Sequence, residues 1–425
     1  MARIVITSWG SYGDVNPYVG IALALRARGH TPVLAIPAYY RAAVEREGLE
    51  DAAVGPDVEP SDASVVGRIM DARRGTEFLL RELLAPAIDR TYEALRAAAT
   101  GAELLVTHPV TFAGPVLAEA TGIPWVSTVL APASFMSERD PFVMPPAPWL
   151  KQVERVSRWP TVWLMRVAHR MTRPWLAPVD ALRARLGLPR GRHPVFEGQH
   201  SPTLVLALFS EVLGRPQPDW PPNTRVTGFP FYDRRDRAGK HNSVAPELAD
   251  FLDAGEPPII FTLGSSAFWA AEDFYTESVA AARAVGRRAL LLIGDERNRP
   301  AAPLPEGVAA FEYAPFGEVL PRAAAVVHQG GVGTTGQALR AGRPALVVPF
   351  SHDQFDNGNR VARAGCGLML PRAQYNAARA ARALREMSEH ESYATNAAEA
   401  ARVIESEDGA NTACDALEEV LRTED

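Results

Sequence analysis

His328, Gly330, Gly331, Gly333 and Thr334 fall in one short run, His328-Gln329-Gly330-Gly331-Val332-Gly333-Thr334-Thr335. Glycines let a backbone turn sharply and approach a ligand closely. The run opens Gln337-Ala338-Leu339-Arg340-Ala341, a helix-forming stretch stopped by Gly342 and Pro344. A Gly-rich turn at a helix start aims unpaired N–H groups and the positive end of the helix dipole at one spot, which suits a diphosphate. Further along stand Asp353, Gln354 and Asn357, able to accept from and donate to neighbouring hydroxyls. Near the N-terminus, Gly10-Ser11-Tyr12-Gly13-Asp14 puts a carboxylate on another strand-to-helix turn. Desolvated there, Asp14 could take a proton from a hydroxyl; capping the following helix is the structural alternative. Gly264-Ser265-Ser266 is a second turn of phosphate-binding type.

The elements that must hold these residues alternate. Apolar runs read as strands at 3–8, 31–37, 104–107, 124–129, 203–209, 259–263, 289–293, 308–312, 324–327, 346–348 and 367–370, with helical periods between them at 17–28, 115–121 and 161–171. Such alternation predicts an α/β chain with parallel sheets. At 425 residues the chain suits two domains, and 47% apolar with 22% charged residues is enough for two cores. The proline-dense stretch Arg215 to Asn223, with the charged Tyr232 to Asn242, marks a linker. The expected division is 1–215, a linker over 216–245, 246–405, and a tail over 406–425 within a helical period running 394–421.

A net charge of −6 with scattered arginines argues against nucleic acid. The turn at 10–14 lacks the Gly-x-Gly-x-x-Gly spacing of a dinucleotide site, and the second strand ends without an acidic residue. Cys366 and Cys414 fit no metal or disulfide framework, and the histidines are dispersed, so no metal and no tightly held cofactor is expected. The absence of a leader-like start and of a long apolar window predicts a cytoplasmic location. Four of the eight tryptophans lie between Trp149 and Trp175, beside the proline-rich apolar loop 141–150. Phe142, Trp149 and Trp163 are read either as packing on the sheet or as an apolar acceptor pocket.

His-x-Gly-Gly-x-Gly-Thr at 328–334, followed by Asp353-Gln354, resembles the donor signature of the family 1 glycosyltransferases. That resemblance implies the GT-B architecture, two Rossmann-like parallel-sheet domains facing across a cleft, and a final helix crossing back to the first domain. It implies an inverting, metal-independent transfer of sugar from a UDP- or dTDP-sugar to a hydroxyl. Asp14 matches the place of a histidine base in many members and resembles a branch with Asp there. Ser265, Ser266, His328, Gly330, Gly331, Gly333 and Thr334 would hold the diphosphate. Tyr313-Ala314-Pro315-Phe316 is similar to a Trp-Ala-Pro-Gln segment, so Tyr313 would stack on the base and the Ala314 main chain would read it. Asp353, Gln354 and Asn357 would hold the sugar. Gly336 stands where plant members carry a ribose-gripping glutamate, which leaves uridine and thymidine both open.

Segments such as Gln217-Pro218-Asp219-Trp220-Pro221 and His352-Asp353-Gln354-Phe355-Asp356-Asn357 resemble the rhamnolipid rhamnosyltransferase branch, near sterol glucosyltransferases. A hydrophobic hydroxylated acceptor is implied: lipid, polyketide, terpenoid or flavonoid. A silent nucleotide-sugar-binding partner, or an epimerase or hydrolase of the same fold, stands as the alternative. Peripheral membrane contact and a monomeric or homodimeric state stay open.

Overall fold

The computed structural model describes residues 1–59, 62–154, 156–232, 244–301 and 303–423. It divides into two compact units. The first takes in Met1–Ile69, Arg73–Tyr232 and the stretch from Glu407; the second takes in Met70–Ala72 and the chain up to Ser406.

Among the described residues the first unit holds seven strands: β1 Arg3–Thr7, β2 Thr31–Ile36, β3 Glu50–Ala53, β4 Leu104–Thr107, β5 Trp125–Val129, β6 Leu204–Ala207 and β7 Thr224–Val226. They form one sheet in the order β3-β2-β1-β4-β5-β6-β7, every pair parallel. The second unit's sheet runs β10-β9-β8-β11-β12-β13, again all parallel, from β8 Ile259–Thr262, β9 Ala289–Leu292, β10 Val308–Phe311, β11 Ala325–His328, β12 Ala345–Val347 and β13 Gly367–Met369. Helices cover both faces of such a sheet, so its strands are apolar throughout rather than alternating. Successive residues of β8 show this: Ile259 and Phe261 join one core with Val327 and Leu346, while Ile260 joins another with Leu290 and Val326.

In each sheet the chain order reverses once, between β1 and β4 and between β8 and β11. Crevices at the carboxyl ends of strands flanking such a reversal are where open α/β sheets bind ligands. Register places Thr7 opposite Thr107 in the first sheet and Thr262 opposite His328 in the second. The residues that follow these four positions therefore meet at the two crevices.

Three expectations need correction. The linker does not begin at 216, because Thr224–Val226 is an edge strand of the first sheet and Trp220 and Phe229 are buried. The prolines flank this three-residue strand without interrupting it, and the Asp219 carboxylate fastens the stretch by accepting from the Ser137 hydroxyl (2.8 Å) and the Glu138 N–H (2.7 Å). The rest of the expected linker, 233–243, lies outside the described residues. The expected helix 394–421 is two helices, Ser392–Glu405 and Gly409–Thr423. Between them Glu407 accepts from the Ser210 hydroxyl (2.7 Å), and Gly409 sits where a Cβ would lie 2.5 Å from the Phe229 carbonyl carbon. The first helix begins at Tyr12 rather than Pro17.

The helix Gly409–Thr423 packs on Tyr12–Ala27. Arg28 pairs with Asp415 (2.5 Å), Arg225 with Glu419 (2.7 Å), and the Cys414 thiol reaches the Ile21 carbonyl (3.7 Å).

Candidate active site

At the first crevice, β1 runs into Gly10 and the helix Tyr12–Ala27. Ser11 caps this helix, and Asp14 completes the reciprocal box. Asp14 Oδ2 accepts from the Ser11 N–H (2.7 Å) and hydroxyl (2.9 Å). Oδ2 meets the capping reading of Asp14, while Oδ1 is left outside the cap, 3.7 Å from Nε2 of His108. The carboxylate is half-buried, its side chain 35% exposed. Gly10 makes room for it: with φ +138°, a Cβ there would lie 2.4 Å from Oδ2.

His108 follows β4 directly and is buried. It was not among the residues read from the sequence as chemical. The signal for it is positional: it stands one residue past a central strand, across the order reversal from the Asp14 turn.

At the second crevice the turns after β8 and β11 interlock. A Cβ at Gly264, where φ is +64°, would lie 2.2 Å from Gln329 Nε2 and 3.0 Å from Thr334 Oγ1. Half-buried Ser265 and Ser266 thereby stand beside the glycine run. The helix Val332–Arg340 starts at Gly331, where no side chain caps its first N–H groups. His328 is fully buried; its Nδ1 accepts from the Gly330 N–H (3.0 Å), which leaves the proton on Nε2. That Nε2, Gln329 Oε1, Thr335 Oγ1 and Asn357 Oδ1 are all buried without a hydrogen-bond partner among the described residues. Four orphaned polar atoms around one turn are what a polar ligand would satisfy.

Asp353 precedes the helix Gln354–Arg363. Asn357 donates to the Gly330 carbonyl (2.9 Å) and to Asp353 Oδ2 (2.8 Å), bracing the turn against the carboxylate. Gln354 Oε1 accepts from the N–H groups of Phe350 (2.9 Å) and Ser351 (3.2 Å), so its carbonyl is committed to the loop. Its Nε2 donor has no bond among the described residues. Ala314 is buried and Tyr313 is 52% exposed.

Among the described residues, Phe142, Trp149 and Trp163 do not line a common cavity. Trp149 and Trp163 are 59% and 62% exposed, and Phe142 packs against Met144, Leu150 and Met165. In the helix Trp159–Thr172 the inward positions are Thr161, Val162 and Met165, which leaves Trp159 and Trp163, one turn apart, facing out. The first unit does contain a cavity of about 1160 Å³, but it is lined by His108, Phe112, Phe135, Met136, His200 and Trp220 among others. Phe135 stacks on Trp220 (3.9 Å between centroids) and on His200 (5.6 Å). Both ring nitrogens of His200 and Nε1 of Trp220 are buried without partners among the described residues.

Burial pushes His328 down to about 3, against 6.5 in an unfolded chain. Between those values the unfolded chain binds a proton that the folded chain refuses. The stability is therefore full above about pH 6.5 and is lost as the pH falls towards 3. His193 and His200, pushed down to about 4 by burial, act in the same sense. Denaturant unfolding at pH 5 is expected to show about 2 kcal/mol less stability than at pH 7 from His328 alone. The variant His328→Gln should lose correspondingly less between these pH values; an equal loss would remove His328 from the account.

Among the described residues no group of three His, Cys, Asp or Glu is arranged to hold a metal ion, and no helix is long and apolar enough to cross a membrane.

Two parallel sheets of seven and six strands, each with one order reversal, are the architecture of the GT-B class. Comparison with known proteins agrees. Residues 278–419 match the family model described as the erythromycin biosynthesis protein CIII-like C-terminal domain. The O-mycaminosyltylonolide 6-deoxyallosyltransferase of Streptomyces fradiae is 33% identical over 442 residues, covering 99% of this chain and 98% of that protein. A sterol 3-beta-glucosyltransferase of Arabidopsis thaliana is 27% identical, covering 99% and 68% respectively. The solved spinosyn rhamnosyltransferase in complex with thymidine diphosphate shares the fold at a TM-score of 0.69 and 19% identity, covering 98% and 100%. The chain belongs to the family 1 glycosyltransferases.

Proposed function

We propose that this glycosyltransferase moves a sugar from a dTDP- or UDP-sugar to a hydroxyl of a hydrophobic natural-product or sterol-like acceptor, with inversion at the anomeric carbon. The observation that carries the donor half is the set of unpartnered buried atoms around the 328–335 turn. In this reading the N–H groups opening the helix Val332–Arg340, the Nε2–H of His328 and Ser265 meet the leaving diphosphate, a preorganised field for developing negative charge. Tyr313 stacks on the base; Asp353 and the Gln354 amide engage sugar hydroxyls, with Asn357 holding Asp353 in place. The thymidine diphosphate in a solved relative favours dTDP over UDP.

Asp14 Oδ1 takes the proton of the acceptor hydroxyl as its oxygen bonds to the anomeric carbon and the carbon–diphosphate bond breaks. The acceptor occupies the cavity beside His108. Its aromatic lining favours an apolar body, and the orphaned nitrogens of His200 and Trp220 favour hydroxyls or carbonyls upon it. The macrolide and sterol relatives support the same class.

The test is a calorimetric titration with dTDP, UDP, dTDP-rhamnose and UDP-glucose, followed by turnover on a panel of hydroxylated macrolactones and sterols. Micromolar binding of one nucleotide family, with its sugar transferred, is the expected result. Failure of all four to bind would overturn the donor assignment.

A further inference from the structure

We infer that His108 is the second half of the acceptor-activating machinery: a fixed N–H donor that, with Asp14, grips one hydroxyl oxygen from two sides. The inference rests on Asp14 being the base. It extends that reading by assigning a residue in the other turn of the same crevice.

The protonation pattern of His108 follows from its contacts. The Val110 N–H donates to Nδ1 at 3.3 Å, so the neutral ring carries its proton on Nε2. Nε2 in turn faces Asp14 Oδ1 at 3.7 Å. That gap is too long for a direct hydrogen bond, yet short enough for one oxygen to touch both atoms. Asp14 cannot swing to close it freely, because Oδ2 is held by two bonds from Ser11.

The ring is equally constrained. The His108 N–H donates to the Thr7 carbonyl (3.1 Å), and its own carbonyl accepts from the Thr111 hydroxyl (2.7 Å). Tyr18 packs edge-on against the imidazole at 6.0 Å between centroids. The Thr128 hydroxyl donates to the Thr107 carbonyl (2.8 Å), so Tyr18 must be the donor in its 2.5 Å bond to Thr128 Oγ1. The phenol proton is thus committed to Thr128, and burial pushes its ionisation up, so Tyr18 supplies a wall and no charge.

A hydroxyl entering from the cavity, which His108 lines, would donate to Asp14 Oδ1 and accept from His108 Nε2–H. One lone pair is then occupied, and the other is left for the anomeric carbon. As the oxygen–carbon bond forms, the proton passes to Asp14 and the bond to diphosphate breaks. The Nε2–H keeps its proton throughout and stabilises the oxygen while it carries negative charge. A similar local device recurs at the second crevice: His328 is the last residue of a central strand where His108 is the first residue past one, and it also has Nδ1 tied to the N–H two residues on and also presents Nε2.

The test has a ligand-free arm and a kinetic arm, both on the full chain. Nitrogen-15 NMR of histidine side chains at neutral pH should show His108 as the Nε2–H tautomer, with a resonance displaced by Asp14→Asn. An Nδ1–H tautomer, or indifference to Asp14→Asn, overturns the pairing. In the kinetic arm, dTDP-glucose is followed with water and with O-mycaminosyltylonolide as acceptors. His108→Ala should lower kcat about 10- to 100-fold, the weight of one hydrogen bond to a charged group, with dTDP affinity unchanged. His108→Gln, whose amide N–H reaches the Nε2 position, should recover most of it, while the shorter His108→Asn should not. Equal losses in all three variants, accompanied by a lowered Tm, would make His108 a packing residue. If Asp14→Asn keeps full turnover, the base assignment falls instead, and the NMR result shows whether the pair exists without it.

Discussion

Asp14→Asn is expected to cut turnover by about 100- to 10,000-fold, the range for loss of a positioned general base, while dTDP binds in calorimetry as it does to the wild type. The substitution is chosen for what it keeps. Asparagine is close to aspartate in shape and also accepts hydrogen bonds, so it can still receive the Ser11 N–H and hydroxyl that Oδ2 receives now. The helix cap survives, and the melting curve should barely move. What is lost is the capacity of Oδ1 to take a proton. A variant that folds and binds nucleotide yet fails to turn over would separate the two roles of this side chain. Undiminished turnover would reduce Asp14 to a cap, and loss of nucleotide binding in parallel would show damage spread beyond the crevice.

Gly330→Ala should be nearly as severe, but at the donor step. Gly330 has φ +89°, a left-handed backbone that costs an alanine about 1–2 kcal/mol. A Cβ there would lie 2.6 Å from Val347 Cγ1 and 2.9 Å from the Gln354 carbonyl oxygen. The Val347 side chain and the Gln354 backbone both belong to packed elements, so overpacking adds about 1–3 kcal/mol. The turn can relieve this only by moving. Moving it withdraws the N–H that sets the His328 tautomer and the carbonyl that Asn357 braces. Nucleotide affinity should fall roughly 100-fold for about 3 kcal/mol, with a lower Tm. Gly29→Ala is the control, since Gly29 has φ +87° and a Cβ there would meet nothing within 4 Å. It should lose some stability and no affinity; an equal affinity loss there would show that backbone strain at any distance suffices.

Most strands were legible because buried parallel strands are unbroken apolar runs, and Leu104–Thr107 or Ile259–Thr262 can be read by eye. The two that were missed are edges. Glu50-Asp51-Ala52-Ala53 carries acids because one side of it has no neighbouring strand, and Thr224–Val226 hides among prolines that an edge tolerates. The turn at 328–335 was legible because glycine spacing is itself a backbone geometry. His108 was not, because its meaning lies in a neighbour brought close by sheet order and in a tautomer set by the Val110 N–H. The tryptophans misled for a related reason: composition shows that aromatics are crowded, but not which face of the helix Trp159–Thr172 they occupy. The break at Ser406 to Asp408 was hidden by continuous helical periodicity. What interrupts it is a tertiary demand, the seat of Gly409 against the Phe229 backbone.

The return of the helix Gly409–Thr423 to the first unit means that this unit is not a contiguous stretch of chain. During synthesis the face of Tyr12–Ala27 that this helix covers must wait, unshielded, until residues 409–423 leave the ribosome. The same arrangement governs recombination between relatives. A chimera cut once near residue 233 joins one parent's first sheet to the other parent's closing helix, mismatching pairs such as Arg28–Asp415 and Arg225–Glu419. Exchange of donor specificity without loss of the first unit calls for two crossovers, the second at Ser406 to Asp408, so that the tail travels with the sheet it closes.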